Sequence, residues 1–473
     1  MNGSGGLWAL NNASQVMPSF LIQTLGCKLN QLESEAITDA FIQAGFERLS
    51  VDGGQEAKTP SVVIVNTCTV TSKADQKARR VIRKALRDYP DSGVLVTGCY
   101  AQLNREDLLK LDSGEKKRLF VIKKDCIIDL PYYYDENEQI DGVLEKFTER
   151  PEPSAGDRVF QFNPQNFSSH TRSFLKIQDG CDNCCTYCRI RLARGASVSL
   201  DADEVLSRLR ILEKNHAEAV LTGVNISQYC DKKETEKSAN INLAWLLERL
   251  LKGTEKISLR LSSLAPDSID EELAGALMNK RIRPHFHLSI QSCSKKILEK
   301  MGRSYNGKTV EDAVSLLRRA KGDPFLACDI ITGFPGETET EFEETFELCK
   351  KLDFAWIHVF PYSKRPGTAA FSFSGALHET EVSRRVGLFT ALAEHGRTDY
   401  ARRWLGREVD VLVEKGGGKY CRGVSENYLK TSILYKGEQP PHSGEVLRCK
   451  LHEKPNADKH EDYDAIAEIC PIS

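Results

Sequence analysis

Apolar positions fall into three blocks along the chain, each with its own rhythm. In the first, FLIQTL (20–25), VVIVNT (62–67) and GVLVTG (93–98) are short, largely β-branched runs, with the length and composition of buried strands. Amphipathic stretches lie between them, such as Glu33 to Ala44, so strands alternate with helices and predict a parallel α/β sheet. The second block repeats that alternation six times. Its strand-like runs are RSFLKIQ (172–178), EAVLTGV (218–224), ISLRLSSL (257–264), FHLSIQS (286–292), FLACDIITGF (325–334) and WIHVFPYS (356–363), with helical segments at 201–213, 242–252, 267–279, 308–320 and 337–351. Six βα units predict a partial barrel. After a long helix ending near Ala401–Leu405, the third block changes to short strands around GGG (416–418) and PPHSG (440–444). That pattern predicts a small β-barrel. The polar, proline-bearing stretch between about 130 and 170 reads as a domain junction. The expected domains are 18–150, 167–400 and 405–473.

Cysteines turn this architecture into chemistry. Cys27, Cys68 and Cys99 each follow one strand of the first block. The carboxyl ends of parallel strands share one edge, where ligands bind, so three thiols from distant positions are expected to converge there. A second triad, Cys181, Cys185 and Cys188, lies within CDNCCTYC in a C-x-x-x-C-x-x-C pattern. It comes directly after the first strand of the second block, at the rim where βα-barrels carry their active sites. Three thiolates can hold three irons of a cubane iron–sulfur cluster and leave the fourth iron open to a ligand, whereas a tetrahedral zinc site needs a distant fourth ligand. A structural zinc knuckle in an RNA-binding protein stays open as the alternative. Cys184 adds a thiol beside Cys185 and is read as a non-ligand.

Composition sets the outer limits. A length of 473 residues suits about three domains, and a net charge of −2 leaves nucleic-acid binding to local basic patches rather than to the whole surface. One such patch is SKADQKARRVIRKALRDY (72–89), a helix with seven Lys and Arg residues, equally readable as a solvated face. The 15 cysteines show no paired spacing, no leader pattern suggests export, and no apolar run approaches the ~18 residues of a membrane span. The expectation is a cytoplasmic protein with reduced thiols and no membrane contact.

TLGCKLNQLESE, VNTCTVTSKADQKARR and VTGCYAQ, together with the CDNCCTYC loop and HVFPYSKRPGT (358–368), resemble the radical S-adenosylmethionine (SAM) methylthiotransferases over nearly the whole chain after residue 18. GCKLNQLES and NTCTVTSKADQK favour the branch acting on threonylcarbamoyladenosine in tRNA over those acting on isopentenyladenosine or on a ribosomal protein. The resemblance implies two 4Fe–4S clusters, one on Cys181, Cys185 and Cys188 that binds SAM, and an auxiliary one on Cys27, Cys68 and Cys99. It also implies transfer of a methylthio group to carbon 2 of the adenine by a SAM-derived radical, with tRNA, a sulfur donor and a reducing donor such as flavodoxin or ferredoxin as partners. The central domain is then a radical-SAM partial (βα)6 barrel. CRGVSENYLK is similar to the wording of the TRAM domain, an RNA-binding barrel.

Tyr187, Thr222, Gly223, Asn225, Ser263 and Gln291, in the cluster loop or at strand ends, are the candidates for holding SAM. Arg422, Asn427, Tyr428 and Lys430 are the candidates for RNA contact. Lys364 and Arg365 suit either a phosphate or substrate carboxylate, or plain surface charge. The chain departs from the family wording at Cys184, Arg189, Arg191, Ala265 and Cys293, and none of these removes a cluster ligand.

Overall fold

Residues 17–50, 58–114, 116–134, 140–148, 158–164, 171–231, 241–415, 421–435, 439–455 and 462–471 are described by a computed structural model. The N-terminal tail, the acidic cluster 135–138, the GGG turn and residues 456–461 within the polar stretch EKPNADKHEDYD (453–464) lie outside these residues. Ser19–Thr24 (β1), Glu47–Arg48 (β2), Val62–Thr67 (β3), Gly93–Gly98 (β4) and Leu119–Val121 (β5) form one sheet in the order β2-β1-β3-β4-β5, parallel throughout. Alternate residues serve opposite faces. Phe20, Val62, Ile64 and Leu95 pack with Leu32, Ala36, Ile37 and Phe41 of Lys28–Gln43 (α1), while Leu21, Val63, Val65, Val94 and Val96 pack with Ala78, Ile82 and Ala85 of Ser72–Asp88 (α2). Both faces are covered, so the strands read as unbroken apolar runs.

The expected junction proves partly structured. After three short helices, Cys99–Leu103 (α3), Arg105–Leu109 (α4) and Lys124–Ile127 (α5), a fourth at Ile140–Thr148 (α6) places Leu144 in the first core, as does Phe162 beyond it. Polar flanks conceal this helix, yet its apolar residues Ile140, Val143, Leu144 and Phe147 keep helical spacing.

The central domain follows the six predicted units. Ser173–Lys176 (β6) is followed by the small pair Gln178–Asp179 (β7) and Val198–Ser199 (β8), with Ile190–Arg194 (α7) between them. Glu218–Thr222 (β9), Ser258–Leu261 (β10), His285–Gln291 (β11), Phe325–Thr332 (β12) and Trp356–Pro361 (β13) complete the set. They pair as β10-β9-β6 and β11-β12-β13, and bridges at Leu259–Ile282 and Leu264–Leu288 link the halves. One long apolar core lies between these strands and their helices. Glu379–Trp404 leads into a closed barrel of Glu408–Lys415 (β14), Cys421–Ser425 (β15), Lys430–Leu434 (β16), Val446–His452 (β17) and Ala465–Ile469 (β18), ordered β14-β15-β16-β18-β17. Among the described residues no helix is long and apolar enough to cross a membrane.

Candidate active site

The three N-terminal cysteines stand where the sheet ends. Cys27 begins α1 as its N-cap, Cys68 directly follows β3, and Cys99 opens α3 directly after β4. Gly26 has φ 111°, and a Cβ on it would lie 2.6 Å from the Cys68 Cβ, so only glycine lets these two loops touch. Asn30 pins the edge, donating to Leu25 O at 2.8 Å and Thr67 O at 3.1 Å, while Asn66 donates back to Asn30 O at 3.0 Å. Burial pushes the Cys68 thiol up to about 11, and the charges of Cys27 and Cys99 add to that rise. Burial also raises Cys27, against the pull of Arg194. Two buried thiols, Cys68 and Cys99, and an exposed one, Cys27, lining one cavity fit a cluster held at three corners. Among the described residues no three His, Cys, Asp or Glu side chains stand close enough for a single metal ion; in a cubane each thiolate takes a different iron.

The second triad is organised locally. Cys181 N–H donates to Gly195 O (3.1 Å), Thr186 N–H to Met301 O (3.0 Å), and Cys188 N–H to Cys185 O (3.1 Å). Burial raises Cys185 and lifts Cys188 to about 11, the latter reinforced by Cys185 and Cys181. Cys184 instead faces solvent, where Arg191 donates to its sulfur at 2.7 Å. Of the candidates for SAM, Asn225 Nδ2 lies 3.9 Å from Cys181 Sγ, and Tyr187 accepts from Arg303 at 2.9 Å. Gly223 approaches Gln178 so closely that a Cβ would lie 2.7 Å from its carbonyl oxygen. Ser263 is hydrogen-bonded to His287 Nδ1 at 2.7 Å, and His287 Nε2 is 3.2 Å from Asp329. Gln291 holds φ 69° at the end of β11, a conformation that costs energy in a non-glycine residue and clusters at functional sites.

A cavity of 1120 Å³ joins the three domains. Cys27, Cys68 and Cys99 form part of one wall, Thr222, Gly223 and Ser263 come from the barrel, and Arg422, Tyr428 and Lys430 from the C-terminal domain. Tyr187, Asn225, Gln291 and the second triad are not among its lining residues. The connection between the triads runs along α7, whose Ile190 and Arg194 do line it. From Cys188 to Arg194 is only ~9 Å at 1.5 Å per helical residue.

Arg194, at the end of α7, is the pivot of the site. Its Nε donates to Cys99 Sγ at 3.1 Å, Nη1 to Glu33 at 2.8 Å and to Asp179 at 3.2 Å. Lys124 and Lys176 reach Asp179 at 2.9 and 2.5 Å. All five charged side chains are buried. Burial opposes charge on Glu33, but Arg194, Lys124 and Lys176 outweigh it and hold the carboxyl at about 2. Asp179 is driven well below its usual range by Arg194, Lys176 and Lys124, again against burial. Glu33 and Lys124 belong to the first domain and the others to the barrel, so the knot fixes one domain against the other. Glu33 was the legible clue, a charge on the α1 face that carries Leu29, Ala36 and Ile37.

The barrel meets the C-terminal domain through a similar knot. Glu218 accepts from Arg260 (2.8 Å) and Arg283 (3.0 Å), and Arg283 continues to Asp410 at 3.4 Å. Arg365 corrects an expectation: it is buried, donating to Thr69 Oγ1 at 2.6 Å and Asp75 at 2.7 Å, and so clips the first domain to the barrel instead of meeting a phosphate. Lys364 remains exposed. Asn427 is a second correction. It is fully buried, accepting from Ser425 and donating to Tyr400 at 3.2 Å, which leaves nothing for RNA. Tyr428 turns inward at φ 69°, its ring 3.8 Å from that of His285 and flanked by Arg260 and Arg172. Arg422 and Lys430 are exposed, as are Lys73, Lys77, Arg80, Arg83, Lys84 and Arg87 along α2.

Residues 19–119 match the family described as Uncharacterized protein family UPF0004, and residues 175–349 match the Radical SAM superfamily. The radical SAM methyltransferase TsrM from Kitasatospora setae, solved with cobalamin and a 4Fe–4S cluster bound, has a similar fold, with a TM-score of 0.51 at 15% identity over 75% of this chain and 77% of that one. Fold and site thus define a radical-SAM enzyme, a class that binds a 4Fe–4S cluster and SAM. The threonylcarbamoyladenosine tRNA methylthiotransferase of Treponema pallidum is 38% identical over 93% of this chain and 99% of its own, and that of Bacillus subtilis 32% over 92% and 94%. The chain belongs to this family of tRNA methylthiotransferases.

Proposed function

We propose that the protein attaches a methylthio group to carbon 2 of threonylcarbamoyladenosine in tRNA, in the cytoplasm. Cys181, Cys185 and Cys188 hold the cluster that binds SAM, and Cys27, Cys68 and Cys99 hold a second 4Fe–4S cluster. The observation that carries this reading is the shared cavity, where the strand-end thiols of one domain face the strand ends of the barrel and the inner side of the small C-terminal barrel. An aromatic C–H carbon is neither acidic nor electrophilic, and the bound cofactors supply the one-electron chemistry it requires.

The chain's own task is placement. Arg194 fixes Cys99 relative to the barrel, and Gly223, on the cavity wall, lets the strand end pack directly against Gln178. Asn225 and Tyr187 border the SAM-binding triad, with Thr222, Ser263 and Gln291 further along the rim. The C-terminal barrel acts as a TRAM domain, with Arg422 and Lys430 as phosphate contacts at the cavity mouth and α2 as a second basic surface. A sulfur donor and a flavodoxin- or ferredoxin-like reductant complete the cycle. Mass spectrometry of tRNA nucleosides from cells with and without the gene tests the reading. We expect methylthiolated threonylcarbamoyladenosine to vanish in the deletion and its precursor to accumulate; an unchanged profile, with no second such enzyme in the cell, overturns it.

A further inference from the structure

Among the described residues, the cations that line the cavity are matched, with one exception. Arg172 pairs with Glu414 at 2.7 Å, Arg194 with Glu33 at 2.8 Å, Arg397 with Asp464 at 2.6 Å and Lys430 with Asp462 at 2.7 Å, and Arg422 has a partner of its own. Lys28 also lines the cavity. Among the described residues its ammonium makes no hydrogen bond and no ion pair, only a cation–π contact 5.9 Å from the centre of the Tyr428 ring. Glu218, the nearby carboxylate, is already taken by Arg260 and Arg283. Lys28 thus stands on the wall between the first and third domains, at a place short of negative charge and open to a ligand.

Its position in the chain says which part of a ligand it would meet. Lys28 directly follows Cys27 and is the first residue of α1. In threonylcarbamoyladenosine the ureido N–H of the threonine closes a hydrogen bond onto ring N1. That folds the amino-acid carboxylate onto the N1 edge of the purine, beside carbon 2. A base whose carbon 2 approaches the Cys27, Cys68 and Cys99 wall, as group transfer demands, brings its carboxylate to the residue next to that wall. We propose that Lys28 binds the threonylcarbamoyl carboxylate and thereby selects this adenosine over one whose N6 substituent carries no charge. This rests on the substrate reading above and deepens it.

The test measures binding rather than turnover. Fluorescent anticodon stem-loops carry threonylcarbamoyladenosine, its carboxyl methyl ester, or isopentenyladenosine, and the reconstituted protein is titrated with each. A hydrogen bond to a charged group gives a preference for the free acid over the ester of roughly 10- to 100-fold in Kd. Lys28→Gln abolishes that preference without weakening the ester complex, and Lys28→Arg retains most of it. Equal binding of acid and ester by the wild-type protein overturns the proposal, and this arm stands even if Lys28→Gln loads iron poorly. A preference for the acid that survives in Lys28→Gln overturns the Lys28 assignment alone. A wild-type preference for isopentenyladenosine overturns the substrate reading, and the Lys28 assignment falls with it.

Discussion

The two cysteine triads contain the same number of thiols and are built in opposite ways. Cys181, Cys185 and Cys188 lie within eight residues of chain, and backbone bonds inside the loop or to the adjacent rim hold them. Cys27, Cys68 and Cys99 come from three strand ends separated by some seventy residues. They depend on Asn30, Asn66 and a guanidinium borrowed from another domain. A local loop can assemble with its own domain. A distributed triad is complete only when the barrel has docked, because Arg194 arrives with the barrel. The N-terminal triad therefore reports on domain assembly, while the loop triad does not.

Removing one thiol from each triad should separate their roles most sharply. Under the proposal that both triads hold 4Fe–4S clusters, the protein carries about eight irons. Cys185→Ala should lower the count by about four and abolish reductive cleavage of SAM to 5′-deoxyadenosine. Cys99→Ala should also remove about four irons and end methylthiolation, yet leave SAM cleavage in place. Iron and sulfide analysis with chromatography of 5′-deoxyadenosine checks both. If Cys99→Ala also stops SAM cleavage, the triads are not separate functional units.

A smaller perturbation leaves every thiol intact. Arg194→Leu removes the cation shared by Glu33, Asp179 and Cys99 and leaves two buried carboxylates with only lysine partners. Taking one member from a buried ion network typically costs about 3–5 kcal/mol, so the melting temperature should drop. The iron signal of the N-terminal triad should change while that of the loop triad persists. The pH dependence has a definite sign. Glu33 is held at about 2 against an ordinary 4.5, so its contribution is full above pH 4.5 and fades as pH falls toward 2. Asp179 is depressed as well and acts in the same direction. In Arg194→Leu both carboxyls titrate higher, closer to their unfolded values, so the mutant starts less stable but loses less further stability than the wild type as the pH falls below 4.5. Wild-type and Arg194→Leu proteins whose melting temperatures coincide at pH 7 and fall equally from pH 5 to pH 3 would count against the knot.

The same contrast explains what could be read before the structure. The loop triad is a spacing, and the N-terminal triad is three cysteines each placed after a strand, so both were visible. His287 and Asp329 belong to no local pattern, and Lys28, although it lies inside GCKLNQLES, shows its meaning, like Arg194, only where elements distant in sequence meet. Asn427 misled because its setting in CRGVSENYLK suits an exposed hairpin, whereas the tight turn folds its amide under Tyr400. Helix α6 has an apolar period as clear as that of α1, but it is short and sits in a polar, proline-bearing stretch. The charged knots at both domain boundaries were invisible for a related reason, since a buried charge shows in sequence only as an interruption of an apolar face.

The mildest change is expected at Cys184, the extra thiol of the loop. Cys184 adjoins Cys185, and spacing alone does not say which of the two binds iron. Their environments differ. Cys185 is partly buried and feels the charge of Cys181 and Arg303. Cys184 is exposed, turned away, and engaged by Arg191 at 2.7 Å. An exposed side chain outside the core and the ligand set contributes within ±0.5 kcal/mol, or about twofold in any equilibrium it touches. Cys184→Ser should therefore retain the wild-type iron content and SAM cleavage within about that factor, where Cys185→Ala loses both. A Cys184→Ser protein that lost four irons would mean that the loop binds its cluster in a different register, and the self-contained character of the triad would have to be redrawn around Cys184.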